Sequence, residues 1–516
     1  MSDIKIKSEI YGNQGVFKCI RLLSQGLYQN SSKRIHVLGD GALVGKTQGT
    51  IYLDRMKEEM GCLVPERSLF LCTEDYFGLP TQTVGNFTDI VELSREKVDR
   101  LLEIIIALGF RTPLAIRSSS FVEDQYGRTF AGQLDTDFLG LNLGAKTARR
   151  YFADRLLKVI NSAYSKKAEI YYRVYGYREI PPLQVIIQEV VGKEWQYVPN
   201  YFFPALAGIV NTARRKYVLL TMCAGMGTAA VKADCGARYY TISREKHSIL
   251  DRLDASRYGL HYIDLANEGK LSVFGLKDME KNPQLDPDRS FKDLSQQFTD
   301  ELALQLADYA LSFEKQLGRG IDLEWALDRT LKPSLVQLRP LVPLCPVAKP
   351  IVDENQILFS AKHYSNVKGH GEMTLKNIIY VDWFTAKTTL NDLTTKYPES
   401  LIVLRGWFRS DIFGWLLENI LPYSRAIVLT DTATEGEGAL GIDHFSLNCC
   451  DLGAQIIRVE DSKDEGIFLK EIRRRANFIE SFKDDNGERQ IKVYKSKQPL
   501  HFAINQEDEW GMVWTE

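Results

Sequence analysis

The chain has 516 residues, 44% of them hydrophobic and 26% charged, and its net charge is -2. Its length exceeds that of one ordinary domain, and this balance excludes a disordered chain, a fibre and a protein built to bind nucleic acid. The eight cysteines lack the paired spacing of zinc sites or disulfide frameworks, so we expect reduced thiols. The start lacks a signal pattern and no stretch is apolar enough for a membrane span, which predicts a cytoplasmic protein without a membrane partner.

Hydrophobic periodicity predicts two helices. The first runs from Leu93 to Gly109, with Ser94 as its N-cap and the glycine as its end. The second is expected to begin with Thr299 as N-cap and to end at Gly318, with apolar residues repeating along one face.

Short apolar runs between these helices predict strands. The run Pro113–Arg117 ends abruptly in polar residues, as a strand that leads into a loop would. Further predicted strands lie at residues 184–191, 217–221, 334–338, 400–406, 424–431 and 454–461. Mixed strands and helices of this kind indicate an α/β or α+β multidomain protein.

Four prolines crowd the segment 340–350 and cannot lie inside a central strand or a helix, so they mark a break between domains. We place a linker at residues 346–375. The expected division is then a two-lobed first part, with lobes at 1–185 and 186–345, and a separate small α/β domain at 376–516.

The most informative stretch is residues 117–136. Arg117 emerges at a strand end, and the small residues Gly127, Thr129 and Gly132 would let backbone amides approach phosphate oxygens. Glycine-containing loops are also common on solvated surfaces, so composition alone leaves that alternative open.

A second polar pattern lies at residues 322–339. Asp322 and Glu324 are two apart and therefore share one face of a strand, and the opposite strand would bring Gln337 and Arg339 to them. Oxygen ligands beside a guanidinium suit Mg²⁺ that bridges phosphates, although a ladder of surface ion pairs would have the same pattern.

The 117–136 stretch resembles the nucleotide-binding domain shared by phosphoenolpyruvate synthase, pyruvate phosphate dikinase and rifampin phosphotransferase. The shared sequence motif consists of Arg117-Ser118-Ser119, then Glu123-Asp124, then the loop from Gly127 to Gln133. This resemblance implies the two-lobed ATP-grasp fold, with ATP and Mg²⁺ as ligands.

Further motifs of the same family follow in order along the chain. LVGKTQG resembles the family's glycine-glycine-lysine segment, with Val44 in place of one glycine, and VIIQEVVG resembles the strand that joins the lobes and lines the adenine pocket. AGIVNTAR and GMGTAAV match with Asn211 in place of an aromatic residue and Thr228 in place of a glutamate. The 322–339 pattern matches the family's metal-binding hairpin at all four positions.

The resemblance implies a set of site residues. Glu324 and Gln337 would hold the metal, and Arg117 and Arg339 would also act in catalysis. The residues expected to bind ATP are Lys46, Arg117, Gly127, Thr129, Gly132, Gln133, Thr136, Gln188, Glu189, Val191, Asp322 and Arg339.

One histidine stands apart from the other six. His444 lies in GIDHFSLNCCDLGAQII, which resembles the phosphohistidine domain of the same families. There an imidazole nitrogen takes a phosphoryl group from ATP and delivers it to an acceptor. The flanks differ, because Asp443 precedes the histidine and Cys449-Cys450 follow it, so an inactive histidine domain is the alternative.

These features predict an ATP-dependent phosphotransferase of the dikinase type that uses His444 as carrier. The acceptor would be a small molecule or a partner protein that supplies a substrate domain, since the chain has no room for the phosphoenolpyruvate-binding barrel of the longer relatives. A ligase or condensing enzyme that activates its substrate by phosphorylation, and a nucleotide-binding regulatory protein, are the alternatives.

Overall fold

The computed structural model describes about two thirds of the chain. The described residues are 7–9, 19–21, 27–29, 34–39, 45–86, 88–90, 92–120, 134–140, 147–165, 168–169, 172–173, 176–195, 199–229, 237–254, 259–274, 294–341, 349–361, 367–368, 370–382, 396–405, 426–430, 455–459, 462–483, 489–505 and 510–516. Within these ranges no helix combines the length and the apolar character needed to cross a bilayer.

The chain divides into two compact units. The first comprises residues 1–231 and 235–342, and the second comprises residues 343–516 together with 232–234. Both contain strands and helices, so the predicted α/β and α+β multidomain class is confirmed.

Five helices of the first unit lie in its described part: α1 (Lys46–Met60), α2 (Thr73–Phe77), α3 (Arg95–Ala107), α4 (Ala148–Ser162) and α5 (Gln296–Leu317). Its described strands are β1 (Lys7–Glu9), β2 (Cys19–Arg21), β3 (Leu27–Gln29), β4 (Ile35–Leu38), β5 (Ser68–Cys72), β6 (Leu114–Ser120), β7 (Thr136–Leu139), β8 (Leu183–Glu189), β9 (Lys193–Glu194), β10 (Tyr201–Phe203), β11 (Leu206–Asn211), β12 (Tyr217–Ala224), β13 (Arg238–Ser243), β14 (Ser248–Asp254), β15 (Leu260–Asp264), β16 (Lys270–Phe274), β17 (Ile321–Leu327) and β18 (Pro333–Pro340).

Two six-stranded sheets dominate this unit. We call the sheet with strand order β3-β4-β5-β8-β6-β7 the first sheet, and the sheet with order β14-β13-β12-β11-β17-β18 the second sheet. A four-stranded sheet, β16-β15-β10-β9, and the pair β1-β2 complete the described strands. The boundary predicted at residues 185 and 186 falls inside β8, which is wholly part of the first sheet.

The helix predictions agree with the structure except at one cap. Ser94 caps α3, since its hydroxyl accepts a hydrogen bond from the Lys97 amide at 3.5 Å, and Gly109 follows with a φ of 73°. The N-cap of α5 lies four residues before the predicted one, because Ser295 Oγ accepts from the Phe298 amide at 3.1 Å. Thr299 is buried inside the first turn, so its assignment as N-cap was wrong.

The core of this unit lies between α5 and one face of the second sheet. Leu302, Leu306 and Phe313 project from α5 and are buried in one cluster with Leu323 and Trp325 of β17. This packing covers one face of the second sheet and leaves the alternate residues of β17 on the opposite face.

The side chains of Cys62, Cys72 and Cys223 in this unit are buried thiols. Burial raises the pKa of the Cys62 thiol to about 11, so this thiol is protonated at neutral pH.

The described part of the second unit holds nine strands and the helix α6 (Ser462–Arg475). The strands are β19 (Ile357–Ala361), β20 (Val367–Lys368), β21 (His370–Asp382), β22 (Ser400–Arg405), β23 (Ala426–Thr430), β24 (Gln455–Arg458), β25 (Ala476–Lys483), β26 (Arg489–Asn505) and β27 (Trp510–Thr515). Strands β21 to β24 are parallel neighbours, and the other pairings are antiparallel.

The predicted linker extended too far along the chain. β19, β20 and the beginning of β21 lie within residues 346–375, and all three belong to the sheet of the second unit. The prolines lie where the chain passes from the first unit to the second, near residue 342. Soon afterwards Leu358, Ala361 and Leu375 are buried in the hydrophobic core of the second unit, so this stretch belongs to that unit.

Candidate functional site

The antiparallel hairpin of β17 and β18 places four polar side chains in two rows. Glu324 pairs directly with Gln337, and Asp322 pairs directly with Arg339. We call these the Glu324 row and the Asp322 row. These four residues therefore lie on paired strands, as the sequence predicted.

Alternation along β17 explains why these side chains share one face. Leu323 and Trp325 are fully buried against the core, whereas Asp322 and Glu324 between them are partly accessible. Because successive residues of a strand point to opposite faces, the apolar face fixes the direction of the acidic side chains.

The Glu324 row is contacted by Arg117, which lies on β6 in the first sheet. The Arg117 Nη2 atom is 3.1 Å from Glu324 Oε2 and donates to Gln337 Oε1 at 2.5 Å. The Arg117 side chain is 12% exposed and that of Glu324 is 33% exposed, so the guanidinium is largely removed from solvent while the carboxylate stays partly accessible. The guanidinium thus joins residues far apart in sequence into one polar cluster.

Two further predicted residues lie beside Arg117. Its Nη1 atom is 3.5 Å from Gln188 Oε1 on β8, and the amide of Gln188 is fixed by donation to Ser68 Oγ at 2.9 Å. Thr136 pairs with Arg117 across β6 and β7 and is exposed. Gln188 and Thr136 are therefore neighbours of Arg117 from the two strands that flank β6.

The beginning of α1 lies against the end of β6. Lys46 Nζ donates to the Ser118 carbonyl at 3.2 Å and lies 3.5 Å from Ser118 Oγ, and the Thr47 amide donates to Ser119 Oγ at 3.2 Å. The N-cap is Gly45, with a φ of 57° that favours glycine. A lysine at the positive end of a helix dipole suits an anionic group such as phosphate.

The segment 188–191 at the end of β8 was predicted to meet adenine through its backbone. The Glu189 carboxylate is bound elsewhere, since Glu189 Oε1 lies 3.0 Å from Arg67 Nη1 and accepts from the Arg111 amide at 2.7 Å. The Glu189 amide donates to the Arg67 carbonyl at 3.1 Å. Val191 follows the strand and is half-buried. The side chain of Glu189 therefore anchors this segment, and a nucleotide contact of Glu189 or Val191 stays a prediction about backbone groups.

Several predicted residues lie outside the described part of the chain. They are Gly127, Thr129, Gly132, Gln133 and His444, together with the flanking Val44, Asp443, Cys449 and Cys450.

Three residues that contact the predicted site residues were given no role in the sequence analysis: Ser118, Ser119 and Asn211. Ser118 and Ser119 stood in the quoted motif, but their contacts with Lys46 and Thr47 join positions 72 residues apart. Asn211 was noted only as a departure from the family pattern, yet its Nδ2 lies 3.5 Å from Asp322 Oδ1. The replacement of the family's aromatic residue by a polar one was the sequence signal that could have identified Asn211.

The Glu324 row has the donors that a magnesium ion prefers. A carboxylate oxygen and an amide oxygen face one another on paired strands, and the guanidinium of Arg117 already lies against both. A positive group is therefore accommodated at these two oxygens, so the residues present fit a hard cation.

A family comparison supports the motif assignments. Residues 88–348, just over half of the chain, match the model of the pyruvate phosphate dikinase AMP/ATP-binding domain. The matched segment contains all of the β17–β18 hairpin and Arg117.

Curated relatives are similar at modest identity. Rifampicin phosphotransferase of Bacillus subtilis (strain 168) is 27% identical over 296 residues, which is 56% of this chain and 30% of that protein. A probable phosphoenolpyruvate synthase of Methanocaldococcus jannaschii is 26% identical over 237 residues, covering 45% of this chain and 17% of that protein. The chain thus spans less than a third of the length of these relatives.

Among solved structures, D-alanyl-alanine synthetase A from Vibrio cholerae covers 57% of this chain and 55% of its own, at 9% identity and a TM-score of 0.24. The motifs, the geometry of the hairpin and the family match agree, and the chain belongs to the family of the pyruvate phosphate dikinase AMP/ATP-binding domain.

Proposed function

We propose that this protein is an ATP-dependent phosphotransferase of the dikinase type. In this proposal the first unit is an ATP-grasp module that binds Mg-ATP, and His444 carries a phosphoryl group to an acceptor. The observation that carries the proposal is the Arg117 guanidinium, which joins Glu324 and Gln337 of the second sheet to Gln188 of the first sheet. Together with the AMP/ATP-binding family match, this polar cluster supports a nucleotide site between the two sheets.

Different residues would bind the adenine and the phosphates of ATP. The segment 188–191, which the Glu189 carboxylate anchors to Arg67 and Arg111, would hold the adenine. Lys46 at the start of α1, together with Arg117 and Arg339, would bind phosphate oxygens, since lysine and arginine recognise phosphate through charge and directed N–H groups.

Magnesium would be held by Glu324 and Gln337. Mg²⁺ in nucleotide sites is usually bound by one or two protein oxygens and completed by phosphate oxygens and water, and this row offers two such oxygens. When bound, the ion would neutralise negative charge on the phosphates. Arg117 would then shift its contacts from the row to the phosphates that occupy the same space.

The transfer step assigned to His444 rests on the sequence resemblance. A neutral imidazole nitrogen would attack the β-phosphorus of ATP, so that an N–P bond forms while the P–O bond to the α-phosphate breaks and AMP leaves with the electron pair. Water would then attack the terminal phosphorus of the resulting pyrophosphohistidine, which releases phosphate and leaves a phosphohistidine. Attack of an acceptor oxygen on the phosphohistidine would then return the imidazole. AMP and phosphate are the by-products that the family resemblance implies, and the acceptor is a small molecule or a group on a partner protein.

The proposal is tested by labelling. The wild type and His444→Ala are incubated with Mg²⁺ and ATP labelled in the β or γ position, and acid-labile protein-bound phosphate and released nucleotides are measured. We expect label on the wild type and none on His444→Ala, with nucleotide binding by calorimetry preserved in both.

His370→Ala serves as the matched control, because His370 lies on β21 of the same unit and was assigned no role. It should be labelled like the wild type. A wild type that binds ATP but never becomes labelled would overturn the carrier mechanism. If ATP consumption instead joins two substrates without labelling the protein, the enzyme is a ligase.

A further inference from the structure

We propose that Asn211 is a positioning residue that holds the Asp322–Arg339 pair for binding of the terminal phosphates of ATP. This inference rests on the proposed function and adds a residue at which this chain has an amide where the family pattern has an aromatic side chain. It concerns the Asp322 row, which Arg117 does not contact in the described structure.

The position of the Asp322 row follows from the course of β17. Arg329, which lies just beyond the end of β17, donates from Nε to the Gly192 carbonyl at 3.3 Å, so that end of the strand is next to the proposed adenine segment. A strand advances by about 3.3 Å per residue, which places Asp322 about 7 Å farther along the strand from that segment than Glu324. With adenine at residues 188–191, the Asp322 row would face the phosphates beyond those at the Glu324 row.

Asn211 lies beside Asp322 on the neighbouring strand. Asn211 of β11 pairs with Asp322 of β17, and Asp322 pairs in turn with Arg339 of β18. Asn211 Nδ2 is 3.5 Å from Asp322 Oδ1, and Arg339 Nη2 is 2.7 Å from Asp322 Oδ2. The three side chains therefore form one line across three strands, with the carboxylate between two donors.

The orientation of the Asn211 amide is fixed by its second contact. Asn211 Oδ1 accepts from the Ala213 amide at 2.9 Å, a bond that only the oxygen of the side chain can make. The NH₂ group must then point to the other side, towards a carboxylate that can only accept. Both contacts agree on one orientation, so the amide is held by the backbone and in turn holds the carboxylate.

Burial makes this support consequential. The side chains of Asp322 and Arg339 are 14% and 10% exposed, so the pair is largely removed from solvent and depends on its remaining partners. Asn211 restrains one carboxylate oxygen, which leaves the other to fix the guanidinium. A guanidinium fixed at Nη2 by a restrained carboxylate keeps one orientation, and in this proposal that orientation favours the binding of a phosphate.

The test compares ATP with AMP. Dissociation constants of Mg-ATP and AMP are measured by calorimetry for the full-length wild type, Asn211→Leu and Asn211→Asp. Leucine keeps the branched side-chain shape but removes the hydrogen bonds, and we expect about a tenfold weaker binding of ATP with AMP binding changed by less than about twofold. Aspartate adds a negative charge next to Asp322 and should weaken ATP binding further.

Controls separate this inference from the proposed function and from misfolding. Asn267→Leu makes the same change at an exposed position of the same unit and should leave both constants unchanged. A wild type without measurable ATP binding would defeat the proposed function itself. If the wild type binds ATP and Asn211→Leu binds it equally well, or loses ATP and AMP affinity in equal proportion, Asn211 does not position the phosphate-binding pair.

Discussion

The two large sheets of the first unit contribute to the candidate site in different ways. The second sheet presents Asp322, Glu324, Gln337 and Arg339 from the middle of paired strands, where the register fixes each side chain. The first sheet presents Arg117 from within β6, and the first turn of α1, which lies against the end of β6, presents Lys46. Side-chain neighbours fixed by strand register could be predicted from the sequence, whereas contacts between distant segments, such as that of Arg117 with Glu324, could not.

The two contributions also differ in charge. In the proposed site the Glu324 row would supply oxygens for a cation, whereas Lys46 and Arg117 would supply positive charge for an anion. A magnesium nucleotide needs both, because its metal and its phosphates carry opposite charges. Removing one residue from each side should therefore show whether both sheets serve one ligand.

The largest effect is expected for Glu324→Ala in the second sheet. The change removes the carboxylate proposed to hold Mg²⁺ and leaves the Arg117 guanidinium without its ion pair, so turnover of ATP should fall by roughly a hundredfold or more. Release of AMP and phosphate at saturating magnesium is the measurement.

Glu103→Ala is the control for this variant, since Glu103 forms an exposed ion pair with Arg100 on α3, away from the hairpin. Its turnover should equal that of the wild type. Unchanged turnover in Glu324→Ala would remove the metal assignment.

A smaller effect is expected for Arg117→Lys in the first sheet. Lysine keeps the charge but cannot contact Gln188, Glu324 and Gln337 from one planar group, so we expect roughly a tenfold to hundredfold loss in kcat/KM for ATP. Steady-state kinetics give this value. Arg100→Lys, at a 70% exposed position, should have no effect, and equal behaviour of the two variants would show that charge alone suffices at position 117.

Local sequence signals predicted much of the fold. Ser94 and Gly109 bound α3 as expected, and each predicted strand of the first unit has its counterpart in the structure. Thr299 was mistaken for a cap because Ser295, four residues earlier, offers the same chemistry and the intervening residues also favour a helix. Strand β19 was assigned to the linker because it is short and closely follows the prolines, which indicated a break between domains.

The site was predictable where it depends on spacing of two along a strand. The rows of β17 and β18 followed from that spacing alone. The contact of Lys46 with Ser118 and the anchoring of Glu189 by Arg67 join elements that only the folded chain brings together. The same holds for the approach of α1 to β18, which brings the helix that carries Lys46 next to the strand that carries Gln337 and Arg339.

The smallest effect is expected for Gly49→Ala, which tests that approach. A Cβ atom on Gly49 of α1 would overlap the carbonyl oxygen of Leu338, which lies between Gln337 and Arg339 on β18. Alanine favours a helix by about 1 kcal/mol over glycine, yet contact with a backbone carbonyl should reverse this and destabilise the unit by about 1–3 kcal/mol. Denaturant unfolding measures the change, and KM for ATP should rise because the hairpin must move. Gly466→Ala is the matched control, since among the described residues no atom beyond the local backbone of α6 lies within 4 Å of its added Cβ, and it should not destabilise the protein. A Gly49→Ala protein as stable as Gly466→Ala, with unchanged KM, would show that the close packing of α1 on β18 does not support the site.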